Sequence, residues 1–344
     1  MNKFTFLILF LLFQTSFAQL TELISGLDSV TRLCVDGDFL YYAEDHAVSR
    51  INLLDENATS ELLYDGFDEA GGVAIKDNLL FVADFGDSRI WKIDMSAQPF
   101  TATVLSLSPY PNSLDIYGDY LYWTDNNNDQ LRKVNIYTGS TSTSTPVVYG
   151  NAMIGIDIYE NYLYYSYDFY YVYRMDLTDE EAEHLLVANQ VDYSNAILFH
   201  NGNVYVGSPG PNVIMRYDFT NEIPNNGIEL LNQDDGLSYP TGLAIHNDIL
   251  YIANSSRIYK YDTSLSTQEN SLNNLTIYPN PATNSITING LKDVVSYKLY
   301  NNVGKVVLSG SLSNFNSNLD VSTLSSGMYI LNLAGSTNYK IVKN

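Results

Sequence analysis

DGDFLYYAE (36–44), KDNLLFVAD (76–84), YGDYLYWTD (117–125), YENYLYYSY (159–167), HNGNVYVGS (200–208) and HNDILYIAN (246–254) are six versions of one phrase. Each opens on a polar turn and closes on an apolar-aromatic run. Aligning Leu40, Leu80, Leu121, Leu163, Val204 and Leu250 gives successive intervals of 40, 41, 42, 41 and 46 residues. A period of roughly 40–45 residues that holds several strands is the signature of a β-propeller blade.

Working outward from the phrase, each repeat reads as four short strands. An inner strand comes first: RLCV (32–35), GVAI (72–75), SLDI (113–116), GIDI (155–158), AILF (196–199) and GLAI (242–245). Turns rich in Gly, Asn and Asp then lead into the quoted run, as hairpin reversal requires. The third strand alternates polar and apolar residues (SRINLL, RIWKID, LRKVNI, YVYRMD, VIMRYD, RIYKYD), which fits a strand with one buried face. A fourth strand is visible after five of the third strands: SELLYD, ATVLSL, TPVVYG, EHLLVA and IELLNQ. After Tyr261-Asp262 it is missing. LTELIS (20–25) before GLDSVTRLCV matches SELLYD before GFDEAGGVAI, so the N-terminal segment is expected to supply the outer strand of the last blade. Such closure removes sheet edges that invite pairing with other chains. The expected fold is all-β: a six-bladed β-propeller closed by an N-terminal strand, plus a small C-terminal Ig-like β-sandwich.

The second-strand motif resembles the YWTD family of six-bladed propellers, and Leu121-Tyr-Trp-Thr-Asp125 carries its signature in full. Pro240-Thr-Gly-Leu-Ala-Ile245 is similar to that family's first strand and to NHL-type propellers. The resemblance covers about 20–263. It implies that Asp84 and Asp125 are structural, bonding backbone between blades. The same position holds Glu44, Tyr167, Ser208 and Asn254 in the other repeats.

The first residues read as a leader. Lys3 precedes the apolar run Phe4–Phe13, and Ser16-Phe17-Ala18 offers the small-x-small pattern of a cleavage site, so 1–18 is expected to be a signal peptide. The run is too short for an ordinary membrane span, and no transmembrane segment is expected. Gln19, not cysteine, follows the expected cleavage site, which argues against a lipid anchor. Cys34 is the one cysteine, so an exported chain has no internal disulfide. Its expected role is a small buried hydrophobe in Leu33-Cys34-Val35. Formal net charge is −22. From Asn273 onward five lysines face Asp293 and Asp320, a local charge of +3. The expected propeller and linker together carry 11 basic against 37 acidic side chains, or −26. Such a body repels nucleic acid and anionic headgroups; cations, basic partners or neutral sugars are compatible ligands.

Beyond the polar linker at 264–272, the 40-residue period gives way to short alternating strands over 273–344, enough for a small sandwich. This stretch closely resembles the type A C-terminal sorting domain of the type IX secretion system in Bacteroidetes. The matching stretches are Tyr278-Pro-Asn-Pro-Ala282, Val303-Gly-Lys305, Leu324-Ser-Ser-Gly-Met-Tyr-Ile330 and Lys340-Ile-Val-Lys343. The resemblance implies export, passage across the outer membrane with help from that machinery, and release or attachment at the cell surface. Its signal residues map to Pro279, Asn280, Pro281, Gly327, Tyr329, Lys340 and Lys343.

No HExxH, GxSxG or phosphate-loop pattern occurs, and the four histidines (His46, His184, His200, His246) suggest no metal cluster. Carboxylates are more informative. One inner-strand position reads Cys34, Ala74, Asp115, Asp157, Leu198 and Ala244, so repeats three and four break an apolar pattern with acids. Neighbouring inner strands would bring Asp115 and Asp157 close enough to share a cation such as Ca2+, or a proton. Hydrogen bonds from backbone N–H groups would equally satisfy them. Asp125-Asn-Asn-Asn-Asp129 has calcium-loop oxygens without the distal glutamate, and a turn cap is the expected reading. Rim loops place aromatics beside acids at Phe85, Tyr167, Phe169, Tyr170, Tyr193 and Tyr239, the pairing that sugar or peptide recognition uses.

The expected function is a monomeric, secreted or surface-attached binding module for a glycan, peptide or protein. The alternative is a metal-dependent lactonase or gluconolactonase, drawing on Glu69, Asn112, Asn151, Asn195, Asp115 and Asp157 at a channel mouth. An inert displayed spacer is the third reading.

Overall fold

The computed structural model describes residues 20–55, 59–96, 98–139, 144–179, 183–189, 191–219, 227–264, 276–289, 295–301, 305–313, 317–333 and 337–344. The expected leader at 1–18 and all of the expected linker but Ser264 lie outside them, as does Val303-Gly304 of the sorting-domain match. One compact unit ends at Thr263 and a second begins at Ser264. Both are all-β: strands and one short 3-10 turn, Gln233–Asp235, make up the regular structure of the described residues.

The first unit contains six four-stranded antiparallel sheets, one per repeat. Inner strands are Leu33–Asp36, Ala70–Lys76, Pro111–Tyr117, Ile156–Tyr159, Ala196–His200 and Pro240–His246. Each touches the inner strand of the next repeat, and the sixth touches the first, so the cycle closes. The apolar-aromatic runs fill the space between sheets: Leu40, Leu80, Leu121, Leu163, Val204 and Leu250 are all fully buried. Thr21–Ser25 pairs with the third strand of the last sheet, Arg257–Asp262, and supplies its outer strand. Every pairing of third and outer strands contains one register shift, and the pairing of Thr21–Ser25 has it too, between Glu22 and Ile24. An extra residue there bends and twists the outer strand. The shared irregularity marks the N-terminal strand as the true equivalent of the other five.

The role that the resemblance implies, bonding backbone between repeats, is visible in atoms at Asp84 but not at Asp125, whose backbone bond stays in its own turn. Asp84 is buried and accepts four hydrogen bonds: from the N–H groups of Asp68 (3.2 Å), Glu69 (3.0 Å) and Asp87 (3.1 Å), and from Trp91 Nε1 (3.1 Å). It thereby holds the loop that crosses from one sheet to the next. Asn254 does so through Ser238 N–H (2.7 Å) and Glu44 through Asp28 N–H (3.0 Å). Asp125 accepts from Ser108 Oγ, Asn128 N–H and Asn128 Nδ2, a turn cap.

The second unit has two sheets. Thr276–Tyr278, Ser285–Asn289 and Asn318–Asp320 form one; Val306–Leu312, Val295–Tyr300, Gly327–Leu333 and Thr337–Lys343 form the other. Ile286, Ile288 and Leu319 from the first meet Leu299, Leu312, Leu331, Leu333 and Ile341 from the second in one buried core.

Candidate functional site

In each sheet of the first unit the inner strand begins where the second strand ends, as in the pairing of Pro111 with Asp125. The loops entering the inner strands and the loops leaving the second strands therefore share one end of the closed ring. Most of the expected rim aromatics gather there. Phe169 stacks on Tyr193 at 5.0 Å between centroids and 7° between planes, and Phe85 packs on Tyr110 at 4.7 Å. In both pairs a second-strand loop meets the inner-strand loop of the next repeat. Tyr170 and Tyr239 are each about half exposed, at 52% and 54%. Tyr167 behaves differently: its ring lies edge-on to Tyr173 of its own sheet at 5.7 Å and crowds Gly150 after the preceding sheet, so it packs between two sheets.

The position five residues before the aligned inner-strand acid is left-handed in five repeats: Ser29 (φ 52°), Tyr110 (49°), Ala152 (48°), Tyr193 (57°) and Tyr239 (66°). Repeat geometry sets that conformation, which suits glycine or asparagine and penalises a bulky residue. Three of the five are nonetheless tyrosines, and all three are exposed. Tyr110 was not among the sequence candidates. Its Tyr-Pro pair at 110–111, in register with 239–240, is the signal that would have found it.

Inside the ring the six inner strands line a cavity of about 240 Å³ that is partly open to solvent. Its titratable lining is Arg32 and Cys34 from the first repeat, Asp115 from the third and Asp157 from the fourth; the second, fifth and sixth contribute apolar residues. The sequence brought Asp115 and Asp157 forward as a pair, and both do face this one cavity. Asp115 Oδ2 accepts Ile158 N–H (2.5 Å) and Oδ1 its neighbour Ile116 N–H (2.7 Å), while Asp157 Oδ2 accepts Phe199 N–H (2.7 Å). Each acid thus stitches its inner strand to the next one, at equivalent positions. Burial pushes the Asp115 carboxyl up to about 6, against the pull of its two N–H donors. Burial, then the Asp115 charge, pushes Asp157 well above the carboxylate range. Burial also pushes the Cys34 thiol up. Three of the four carboxylate oxygens already hold a backbone N–H, and calcium takes six to eight oxygens. Among the described residues no three His, Cys, Asp or Glu side chains converge as metal ligands.

The sequence missed Arg32. It stands two residues before Cys34, where the other repeats have Gly72, Ser113, Gly155, Ala196 and Gly242. Those residues are small because the strands approach closely: a Cβ on Gly72 would lie 2.1 Å from Asn112 O, and one on Gly155 2.3 Å from Asn195 O. One long side chain fills the centre of this small-residue ring. Arg32 Nη1 donates to the carbonyls of Thr241 and Thr31, and Nη2 donates to Asn112 Oδ1 (2.6 Å). The guanidinium ties the sixth and third repeats together past Gly72. It is 8% exposed, and burial pulls it down to about 10. Its Nε has no partner, and neither has Asn195 Oδ1 in the loop just before the fifth inner strand. Of the other hydrolase candidates, Asn151 donates to Asp168 Oδ1 (2.8 Å), and Glu69 is raised by burial and by Asp45, Asp68 and Asp84.

In the second unit, motifs 60 residues apart in sequence meet in space. Asn280 Nδ2 donates to Lys340 O (2.7 Å) and its Oδ1 accepts Val342 N–H (2.8 Å). Ala282 N–H donates to Val342 O, and Asn344 N–H to Ala282 O. Pro279-Asn280-Pro281 is therefore docked on the terminal strand. Gly327 pairs with Lys343 in the same sheet, and buried Tyr329 donates its hydroxyl to Ser325 O (2.8 Å). The residues that the resemblance implies for sorting thus come together in one structural element.

Solved structures that resemble the chain include the following two. A nidogen/laminin complex has a TM-score of 0.52 and 14% identity over 62% of this chain and 84% of the other. Streptogramin B lyase has 0.50 and 15% over 71% of this chain and 97% of the other. At such identities the likeness shows fold alone: the chain is an all-β protein with propeller-like architecture. Residues 276–344 match the family described as Secretion system C-terminal sorting domain. The protein accordingly carries a type IX sorting tail and is exported through that machinery to the cell surface or the extracellular space. No helix among the described residues is long and apolar enough to cross a membrane. Searching curated proteins returned no match.

Proposed function

We propose that this chain delivers a six-bladed propeller, closed by its N-terminal strand, to the cell exterior as a binding module, with an Ig-like sandwich as its sorting tail. The closed cycle of inner strands and the shared bulge of the N-terminal strand support the blade count. The ligand face is the end of the ring where inner strands begin. One observation carries this reading: exposed tyrosines occupy left-handed positions in three repeats although the fold needs only a small or flexible residue there. Backbone strain of this kind costs on the order of 1–3 kcal/mol and collects where function retains it. Tyr110, Tyr193 and Tyr239, with Phe85, Phe169 and Tyr170 beside them, present flat rings to a neutral glycan or a peptide. The acidic body excludes nucleic acid and anionic lipid as partners.

Tyr239→Asn tests this reading. Asparagine accepts the left-handed backbone, so the variant should melt at the wild-type temperature or above it. Binding to glycan and peptide arrays should fall at least about tenfold. A variant that loses stability while keeping its array signals would show the tyrosine to be structural.

A further inference from the structure

We propose that the central cavity is a second site, separate from the aromatic face, and that it takes a free amino acid, with the ligand carboxylate on Arg32 and its ammonium between Asp115 and Asp157. The argument is one of unmatched charge. Arg32 is buried and forms no ion pair with any described residue. Asp115 and Asp157 line the same cavity and likewise have no described cationic partner. A buried charge without its opposite is costly. The two acids meet that cost in part by holding protons, and an ammonium between them with a carboxylate on Arg32 would answer it more fully.

The groups do not compensate one another, since neither carboxyl lies within ion-pair distance of the guanidinium. Arg32 sits two residues before the level of the acids, a step of about 6.6 Å along a strand. A hydrogen bond of about 2.8 Å at each pole, with the short spacer of an α-amino acid between, bridges such a step. Donor and acceptor inventories agree. Arg32 has used three of its five N–H groups; Nε is unpartnered and Nη2 has one N–H left. Nε and Nη2 form one edge of the guanidinium, an edge that carboxylates engage in two parallel bonds; Nε is buried, so the ligand takes that edge after a small shift of the side chain. The acids hold three backbone N–H donors between them, and a carboxylate has about four lone-pair sites, so capacity remains for an ammonium. The apolar lining from Val73, Leu198 and Leu243 leaves room for a small apolar side chain. A lone anion would meet the acids, and a lone cation would meet Arg32. Only a zwitterion answers both.

Calorimetric titration of the mature full-length chain with glycine, L-alanine and L-valine, beside propionate and ethylamine, tests the site. The amino acids should bind, and the single-pole analogues should bind at least about tenfold more weakly. Asp157→Asn keeps the oxygen that Phe199 N–H needs and should fold. Asp115→Asn keeps one acceptor for its two N–H donors, so circular dichroism checks its fold and Asp157→Asn decides the matter if it fails. Each should weaken amino-acid binding about tenfold or more while leaving propionate no weaker. Arg32→Lys should lose the two-bond fork and weaken every carboxylate; circular dichroism checks its fold, and the two aspartate variants decide the matter if it fails to fold. The proposal is overturned if no amino acid binds at about 10 mM, if propionate binds as well as alanine, or if both aspartate variants bind alanine like the wild type.

Discussion

The two ends of the inner-strand ring are built from the same six hairpins but furnished on different principles. At the end where inner strands finish, side chains join repeat to repeat. His200 reaches Asp248 (3.0 Å), His246 reaches Asp38 (3.7 Å), and Lys76 reaches Asp119 (3.8 Å). In each case the first residue of one turn meets the third residue of the next repeat's turn. At the other end, Tyr110, Tyr193 and Tyr239 sit exposed in a conformation that smaller residues hold more cheaply. One end is explained by the ring. The other contains more than the ring requires, and an excess over structural need is where a ligand is to be sought.

That comparison presumes a closed ring, and removing residues 20–26 breaks it most severely. The last sheet would lose its outer strand and expose the edge of Arg257–Asp262. We expect a lower melting temperature for the whole first unit, with faster hydrogen exchange in all six sheets. Exchange confined to the last sheet would mean that the repeats are stable without closure.

A local break comes next. Asp84→Ala leaves three backbone N–H groups and the Trp91 indole without their shared acceptor in a buried site. Orphaned buried donors cost about 1–3 kcal/mol each when nothing replaces the partner. A loss of at least ~2 kcal/mol in urea unfolding is expected, and Glu44→Ala, with a single backbone N–H at stake, should cost less.

Much of this was legible in the chain, and the residues show why. Repeat period, strand order and N-terminal closure are properties of pattern, and pattern is what a sequence displays. Asp115 and Asp157 announced themselves by breaking an apolar column, and backbone N–H groups of the following strand do donate to their oxygens. Arg32 breaks a column of small residues just two positions earlier by the same logic, but it was passed over because arginine beside a strand reads as surface. Only the 2.1 Å approach behind Gly72 shows that this level is the crowded centre of the ring. Tyr167 misled for the opposite reason: an aromatic at a loop start looks like rim, and its contact with Tyr173 is a matter of rotamer. In the tail, the distant motifs could be matched one by one, but their meeting through Asn280 is a fact of folding.

The cavity sharpens the comparison through pH. An aspartate whose folded value exceeds its unfolded value of about 3.9 holds its proton more tightly in the fold. The folded state then binds more protons than the unfolded one, so stability falls as pH rises from about 4 through about 6 for Asp115, and further for Asp157. Asp157→Asn removes that titration and keeps the acceptor for Phe199 N–H. Its melting temperature should exceed the wild-type value at pH 8 and converge on it near pH 4. Equal effects at both values would mean that burial does not hold the proton.

The smallest effect probes the joined end itself. The His200–Asp248 contact is partly exposed, and with the imidazole protonated such pairs are worth about 0.2–1 kcal/mol in double-mutant cycles. His200→Ala, Asp248→Ala and their combination should give a coupling within that range, and added salt should reduce it. The exposed tyrosines face the opposite end of the same sheets, so combining His200→Ala with Tyr239→Asn should give additive stability changes. A clear coupling between those two distant positions would mean that strain at the aromatic end is held in place by the clasps at the other, and the two ends would then be one device rather than two.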